Sequence, residues 1–190
     1  MIMKRSFLAL CSVLVLATAA RLLAGDAAPA APSAPGELTF AAHNAVYNAE
    51  GRFASWRLTK VDVPGGDFTK GSVTIEVDLA SVTEKAAKLT AHLQTPDFFD
   101  VAKFQKATIA IADAKPAGEK RYTATASIDL HGMKGTCPVA FEVVSTKPLS
   151  IKGTATLDRT TFGIGAPYDA ADKYAPLNEV GVAISAKLSD

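Results

Sequence analysis

From Leu38 onward the chain places apolar residues on alternate positions in short runs separated by Gly, Pro, Asp or Lys. Period two is the signature of a half-buried strand, because successive side chains of extended backbone point to opposite faces. Ser72–Leu79 shows it cleanly: Val73, Ile75, Val77 and Leu79 share one face, and Thr74, Glu76 and Asp78 the other. The same alternation runs through Thr108–Asp113, Tyr122–Leu130, Pro138–Val144, Ser150–Asp158 and Glu179–Leu188. With Leu38–Tyr47 and Phe53–Val61, it predicts eight strands. Between Phe53 and Trp56 the parity slips, which predicts a bulge or a strong bend.

One segment departs from period two. Ser81-Val82-Thr83-Glu84 has the spacing of a capping box, and Val82, Ala86, Leu89 and Leu93 then recur along one helical face. This predicts a helix of about three turns between the third and fourth strands. Pro96 opens a second short helical segment carrying Phe98 and Phe99. Many short antiparallel strands with one inserted helix fit a closed eight-stranded β-barrel, since closure removes exposed edges. A two-sheet sandwich is the alternative.

The first residues have a different character. Lys4 and Arg5 precede Ser6–Ala20, where twelve of fifteen residues are apolar, and Ala17-Thr18-Ala19 offers a small-x-small cleavage site. Residues 1–25 therefore read as a secretory signal peptide, too short in its apolar run for a stable membrane anchor. Residues 26–36, nearly all Ala and Pro, read as an extended linker, leaving 37–190 as one domain. Removing Lys4, Arg5 and Arg21 from the 20 basic residues leaves 17 against 19 acidic, a net charge of −2. That balance, without basic runs, argues against a nucleic-acid partner. Of the two cysteines only Cys137 lies beyond the leader, so the exported domain depends on its core and not on an internal disulfide. A homodimer is the one protein partner the sequence leaves open.

Composition of the inward face then bears on function. Its centre is occupied by Ala124, Ala126, Gly153, Ala155 and Ala186, where a packed core would use larger side chains. An eight-stranded barrel is filled by its own side chains or holds one small ligand. Alternation places Trp56, Val77, Ile109, Ile111, Ala126, Ile128, Phe141, Gly153 and Ala155 on the candidate wall, and the apolar face of the predicted helix adds Leu93. Such a wall suits an apolar chain, with polar groups needed only at a mouth, for which His43, Asn44, Arg52 and Tyr168 are candidates. The opposing reading is that Trp56, Phe68 or Phe141 fills the space. His43, His92 and His131 stand too far apart in sequence to announce a metal site, and no nucleophile elbow or phosphate loop is present. Cys137, on the inward parity of Val139 and Phe141, reads as an inert buried thiol. No catalytic residue, metal or cofactor is expected.

Gly51-Arg52-Phe53, Val77-Asp78-Leu79-Ala80-Ser81-Val82, His92-Leu93 followed by Asp97-Phe98-Phe99-Asp100-Val101-Ala102-Lys103-Phe104, Ile128-Asp129-Leu130-His131-Gly132-Met133-Lys134 and Arg159-Thr160-Thr161-Phe162-Gly163-Ile164 occur in that order. Together they resemble the YceI-like family over most of residues 38–190. The resemblance implies a lipocalin-like antiparallel barrel exported to the bacterial periplasm. It implies binding of a polyisoprenoid, an isoprenoid quinone or a fatty-acid derivative in the barrel, without enzymatic activity. It also implies that Phe53, Phe98, Phe99, Phe104 and Phe162 lie near the cavity. The segment Gln105–Ile109 departs from the pattern of many relatives, which carry a proline and a second aromatic there. An enzyme or redox accessory acting on such a lipid, with His43 as acid–base, and a stress protein without a specific ligand are the competing functions.

Overall fold

The structure is a computed structural model that describes residues 34–168 and 177–188. The expected signal peptide, 1–25, lies outside the described residues. Of the expected linker, 34–36 are described: Gly36 already opens the first strand, and the Pro35 carbonyl accepts a hydrogen bond from the Lys187 amide at 2.9 Å.

Among the described residues the fold is all-β, an antiparallel sheet with one α-helix. Its strands are β1 (Gly36–His43), β2 (Asn48–Phe53), β3 (Trp56–Asp62), β4 (Ser72–Asp78), β5 (Val82–Glu84), β6 (Lys106–Pro116), β7 (Arg121–Leu130), β8 (Met133–Thr146), β9 (Leu149–Asp158) and β10 (Glu179–Lys187). The order across the sheet is β3-β4-β6-β7-β8-β9-β10-β1-β2-β5. The expected closed ring of eight is therefore corrected to a ten-stranded ladder whose two end strands are β3 and β5.

The two extra strands have one cause. The predicted strand Phe53–Val61 begins only at Trp56, while β2 occupies 48–53, where no strand is expected, and β5 occupies 82–84, inside the expected capping box; bends at Ala54-Ser55 and at the 3-10 turn Leu79–Ser81 separate them from β3 and β4. Ser81 pins the breaks together: its Oγ accepts from the Ser55 amide at 3.0 Å and donates to the Asp78 carbonyl at 2.6 Å, while its carbonyl accepts from the Ala54 amide.

That use of Ser81 also explains the short helix. Ser81 is committed at the bend and Glu84 accepts a hydrogen bond from the Tyr47 hydroxyl, so the expected capping box does not form. Val82 joins strand β5 opposite Phe53, and α1 runs only from Ala87 to Leu93, between β5 and β6, with no side-chain cap at Ala86. The expected helical segment at Pro96 is instead a series of turns, in which the Phe98 and Asp100 amides donate to the Thr95 carbonyl and the Phe99 amide to that of Leu93.

Inward residues keep the predicted parity. On β7, Ala126, Ile128 and Leu130 are buried and their neighbours Thr125 and Ser127 exposed. On β9 the inward row is Leu149, Ile151, Gly153, Ala155 and Leu157. Antiparallel order puts the turns 63–71, 117–120 and 147–148 at one end of the sheet. The turn 44–47, α1 and the segment after β9 lie at the other.

Candidate functional site

The sheet curls around a cavity of about 220 Å³ whose wall presents almost no polar surface. This exceeds the roughly 150 Å³ of a dry apolar pocket able to hold benzene. All of the long strands contribute to the wall, from Leu38 and Phe40 on β1 to Val182, Ile184 and Ala186 on β10.

Most of the sequence-derived candidates meet here. Phe53, Val77, Leu93, Phe98, Phe99, Ile109, Ile111, Ala126, Ile128, Phe141, Gly153 and Ala155 all line the cavity. Trp56, Phe104 and Phe162 do not. Trp56 packs in the core at the β2–β3 bend, 2% exposed, with its indole N–H lacking a hydrogen-bond partner. Phe104 and Phe162 instead belong to a clasp around the β7–β8 turn. Here His131 and Gly132 both take positive φ, and the bare Cα of Gly132 leaves room for the Phe104 ring. The His131 ring packs against Phe104 at 4.7 Å, and its Nδ1 donates to the Phe162 carbonyl at 2.9 Å. The Phe162 ring lies over Gly135, where a Cβ would collide with it.

The polar mouth candidates lie elsewhere. His43, Asn44, Arg52 and Tyr168 are absent from the wall. The His43 ring sits 2.9 Å from the Asn48 side chain on an exposed strand end. His92 joins a cluster across the helical end, in which the Tyr168 hydroxyl lies 2.9 Å from His92 Nε2 and 3.1 Å from Asp97 Oδ2. Burial and the Asp97 carboxylate both push the Tyr168 phenol above its ordinary pKa. Phe98, on the wall, stacks its outer side on Tyr168 and meets His92 edge-on.

At this end Phe40, Phe53 and Phe99 form a chain of ring contacts, each with centroids 5.7 Å apart. The Phe40 ring crosses β2 directly over Gly51, which has no Cβ to obstruct it.

Two wall residues are reactive or charged. Cys137 is buried, and burial raises its thiol pKa, so it is a shielded thiol that reacts slowly and only with a reagent that reaches it. Arg159, 3% exposed, touches the cavity but turns its guanidinium to the carbonyls of Ile164 (2.6 Å) and Leu177 (3.1 Å) and to the Asn178 side chain (3.3 Å). It ties the segment after β9 to the sheet and leaves the wall its hydrocarbon stem. Among the described residues no three His, Cys, Asp or Glu side chains gather as a metal site, and no helix is long and apolar enough to cross a membrane.

The other side of the question is whether side chains fill the space. Phe141 leans over Gly153, where a Cβ would stand 3.0 Å from its own Cβ, and Phe68 packs on it with centroids 5.0 Å apart. These rings close one end of the cavity, while the centre beside Ala126 and Ala155 stays open.

Residues 32–188 match the model of the YceI-like domain. The chain belongs to that family. Curated relatives include a UPF0312 protein of Pseudomonas savastanoi pv. phaseolicola, 28% identical over 137 residues, which are 62% of this chain and 64% of that protein. Another, from Pseudomonas putida strain W619, is 30% identical over 118 residues, 54% and 60% of the two chains. The match thus spans somewhat under two thirds of these relatives' length. Among solved structures, Burkholderia cenocepacia BcnA superposes with a TM-score of 0.71 at 20% identity, covering 79% of this chain and 94% of that one. A polyisoprenoid binding domain from Saccharophagus degradans gives 0.59 at 15% identity, covering 81% and 93%. These likenesses show the fold, an antiparallel curled sheet shared with YceI-like proteins.

Proposed function

We propose that this YceI-like protein binds and carries a long-chain apolar or amphiphilic molecule, a polyisoprenoid, an isoprenoid quinone or a fatty-acid derivative, inside the curled sheet. The observation that carries the reading is the cavity within the curled sheet and its hydrocarbon wall. Each methylene moved from water into such a space is favourable by about 0.8 kcal/mol, so a chain of some ten carbons offsets the cost of ordering it. The polyisoprenoid binding domain among the structural neighbours supports the ligand class.

In the same proposal the sheet closes as a barrel through the bend that joins β2 to β3, and the leader read in residues 1–25 exports the domain to the periplasm. The protein acts there as a carrier, not an enzyme. The cavity wall holds no histidine or carboxylate to move a proton, and His43, the acid–base candidate, lies off it.

The test is to purify the protein without denaturant or detergent and analyse the extract by mass spectrometry. A long-chain apolar molecule is expected in stoichiometric amount. A preparation that carries none, and that fails to bind a fluorescent fatty acid when offered it, overturns the proposal.

A further inference from the structure

The two ends of the cavity are built differently. The helical end is tied across elements: the Gln94 side chain donates to the Ala80 carbonyl, the Gly165 amide to that of Asp97, and Tyr168 reaches both His92 and Asp97. At the opposite end Phe68, 4% exposed, lies against Phe141 and Tyr122 with centroids 5.0 and 5.4 Å away. Phe68 comes from the β3–β4 loop, 63–71, and every described hydrogen bond of that loop stays within it. The Gly66 amide donates to Val63, Asp67 to Pro64, Lys70 to Asp67 and Gly71 to Phe68, and Asp67 Oδ1 accepts from both the amide and the hydroxyl of Thr69. Among the described residues, only side-chain packing holds this loop against the rest of the sheet. Its tip, Gly65-Gly66, adopts positive φ in open space.

We propose that Phe68 is the door of the cavity, and that the loop 63–71 swings as a unit to admit and release the apolar chain at the turn end while the helical end stays shut. Opening breaks ring contacts but no hydrogen bond, which makes it the least costly way in. The loop keeps its internal bonds and pivots where Asp62 pairs with Ser72. This inference rests on the reading of the cavity as a seat for an exchangeable chain.

Cys137 supplies a readout that needs no lipid, since it lies on the cavity wall and a small reagent must enter to reach it. The full-length protein is exposed to methyl methanethiosulfonate, and modification is followed on the Cys137 peptide by mass spectrometry. Tyr122→Ala, at a residue off the cavity wall, removes one of the two rings that hold Phe68, so the rate should rise about two- to twelvefold, the worth of one aromatic pair. Phe68→Ala should raise it further. Tyr168→Phe, which loosens the helical end, should leave it at the wild-type value. Acceleration by Tyr168→Phe but not by Tyr122→Ala overturns the assignment and moves the entrance to the helical end. Equal rates in all three variants and wild type overturn it as well, because entry would then not pass Phe68. Association of a fluorescent fatty acid separates this inference from the one beneath it. Binding whose rate ignores Tyr122→Ala refutes the door alone, whereas loop-dependent thiol access with no lipid binding refutes the carrier reading alone.

Discussion

Ala126 gives the sharpest test of an unfilled interior. It lies at the middle of β7, fully buried, in register with Ile111 on β6 and Cys137 on β8, and its methyl group forms part of the cavity wall. Leucine at this position adds three carbons directed into the space. If that space seats a ligand, the new side chain excludes about three methylenes of it. At about 0.8 kcal/mol each the loss is about 2.4 kcal/mol, roughly fiftyfold in Kd. The lipid-free protein should respond in the opposite sense, since carbons entering an empty apolar cavity meet no clash and gain contacts, so its Tm holds or rises. A solid interior predicts the reverse: overpacking costs about 1–3 kcal/mol, a Tm lower by about 2–12 °C for a domain of this size, with no effect on binding. Displacement of a fluorescent fatty acid and thermal unfolding of the delipidated protein measure the two quantities. A fall in Tm with unchanged Kd refutes the hollow-core reasoning.

Glu76, half-buried between Arg57 (2.7 Å) and Lys106 (2.9 Å), has its carboxyl held below the usual carboxylate range, first by the hydrogen bond from Lys106 and then by the nearby charges. A depressed pKa contributes stability above the unfolded-state value and loses it as pH falls through the folded one. Glu76→Gln should therefore cost up to about 1 kcal/mol in urea unfolding at neutral pH and nothing in strong acid; a difference persisting in acid would refute the ion-pair account. Gly51→Ala forces a methyl group into the Phe40 ring and towards the Thr83 carbonyl, and should destabilise the domain by about 1–3 kcal/mol, read as a lower Tm, whereas an unchanged Tm would mean the ring does not lie there.

Period two located most of the sheet because each strand buries one face, a constraint that leaves its mark residue by residue. Applied to β1 and β10 as strictly as to β7, it also marks Leu38, Phe40, Val180, Val182 and Ile184 as wall residues. It fails where the chain bends, since alternation does not encode hydrogen bonds between distant turns. Ser81 illustrates this: its spacing from Glu84 satisfies a capping box, yet a contact with Ser55 takes the hydroxyl for the bend. Arg159 is illegible for the same reason, being a cation whose burial depends on carbonyls brought in by Ile164 and Leu177, and Phe68 is legible only as a possible filler, because its loop has no periodicity to place it at the end of the cavity. Phe104 and Phe162 show the converse. The family resemblance marked them as cavity residues, while neighbouring glycines use them as turn fillers.

A wall that is almost wholly hydrocarbon offers an occupant next to nothing to hydrogen-bond. Two chains of equal length and girth, one ending in a quinone and one in an acid, are indistinguishable to it. Selection by such a wall acts on dimensions, so the resident population follows the supply of molecules that fit. On the proposed carrier function, the protein would work less as a receptor for one compound than as a sampler of whatever long-chain pool surrounds it, and the same purified chain would carry different cargo from different hosts.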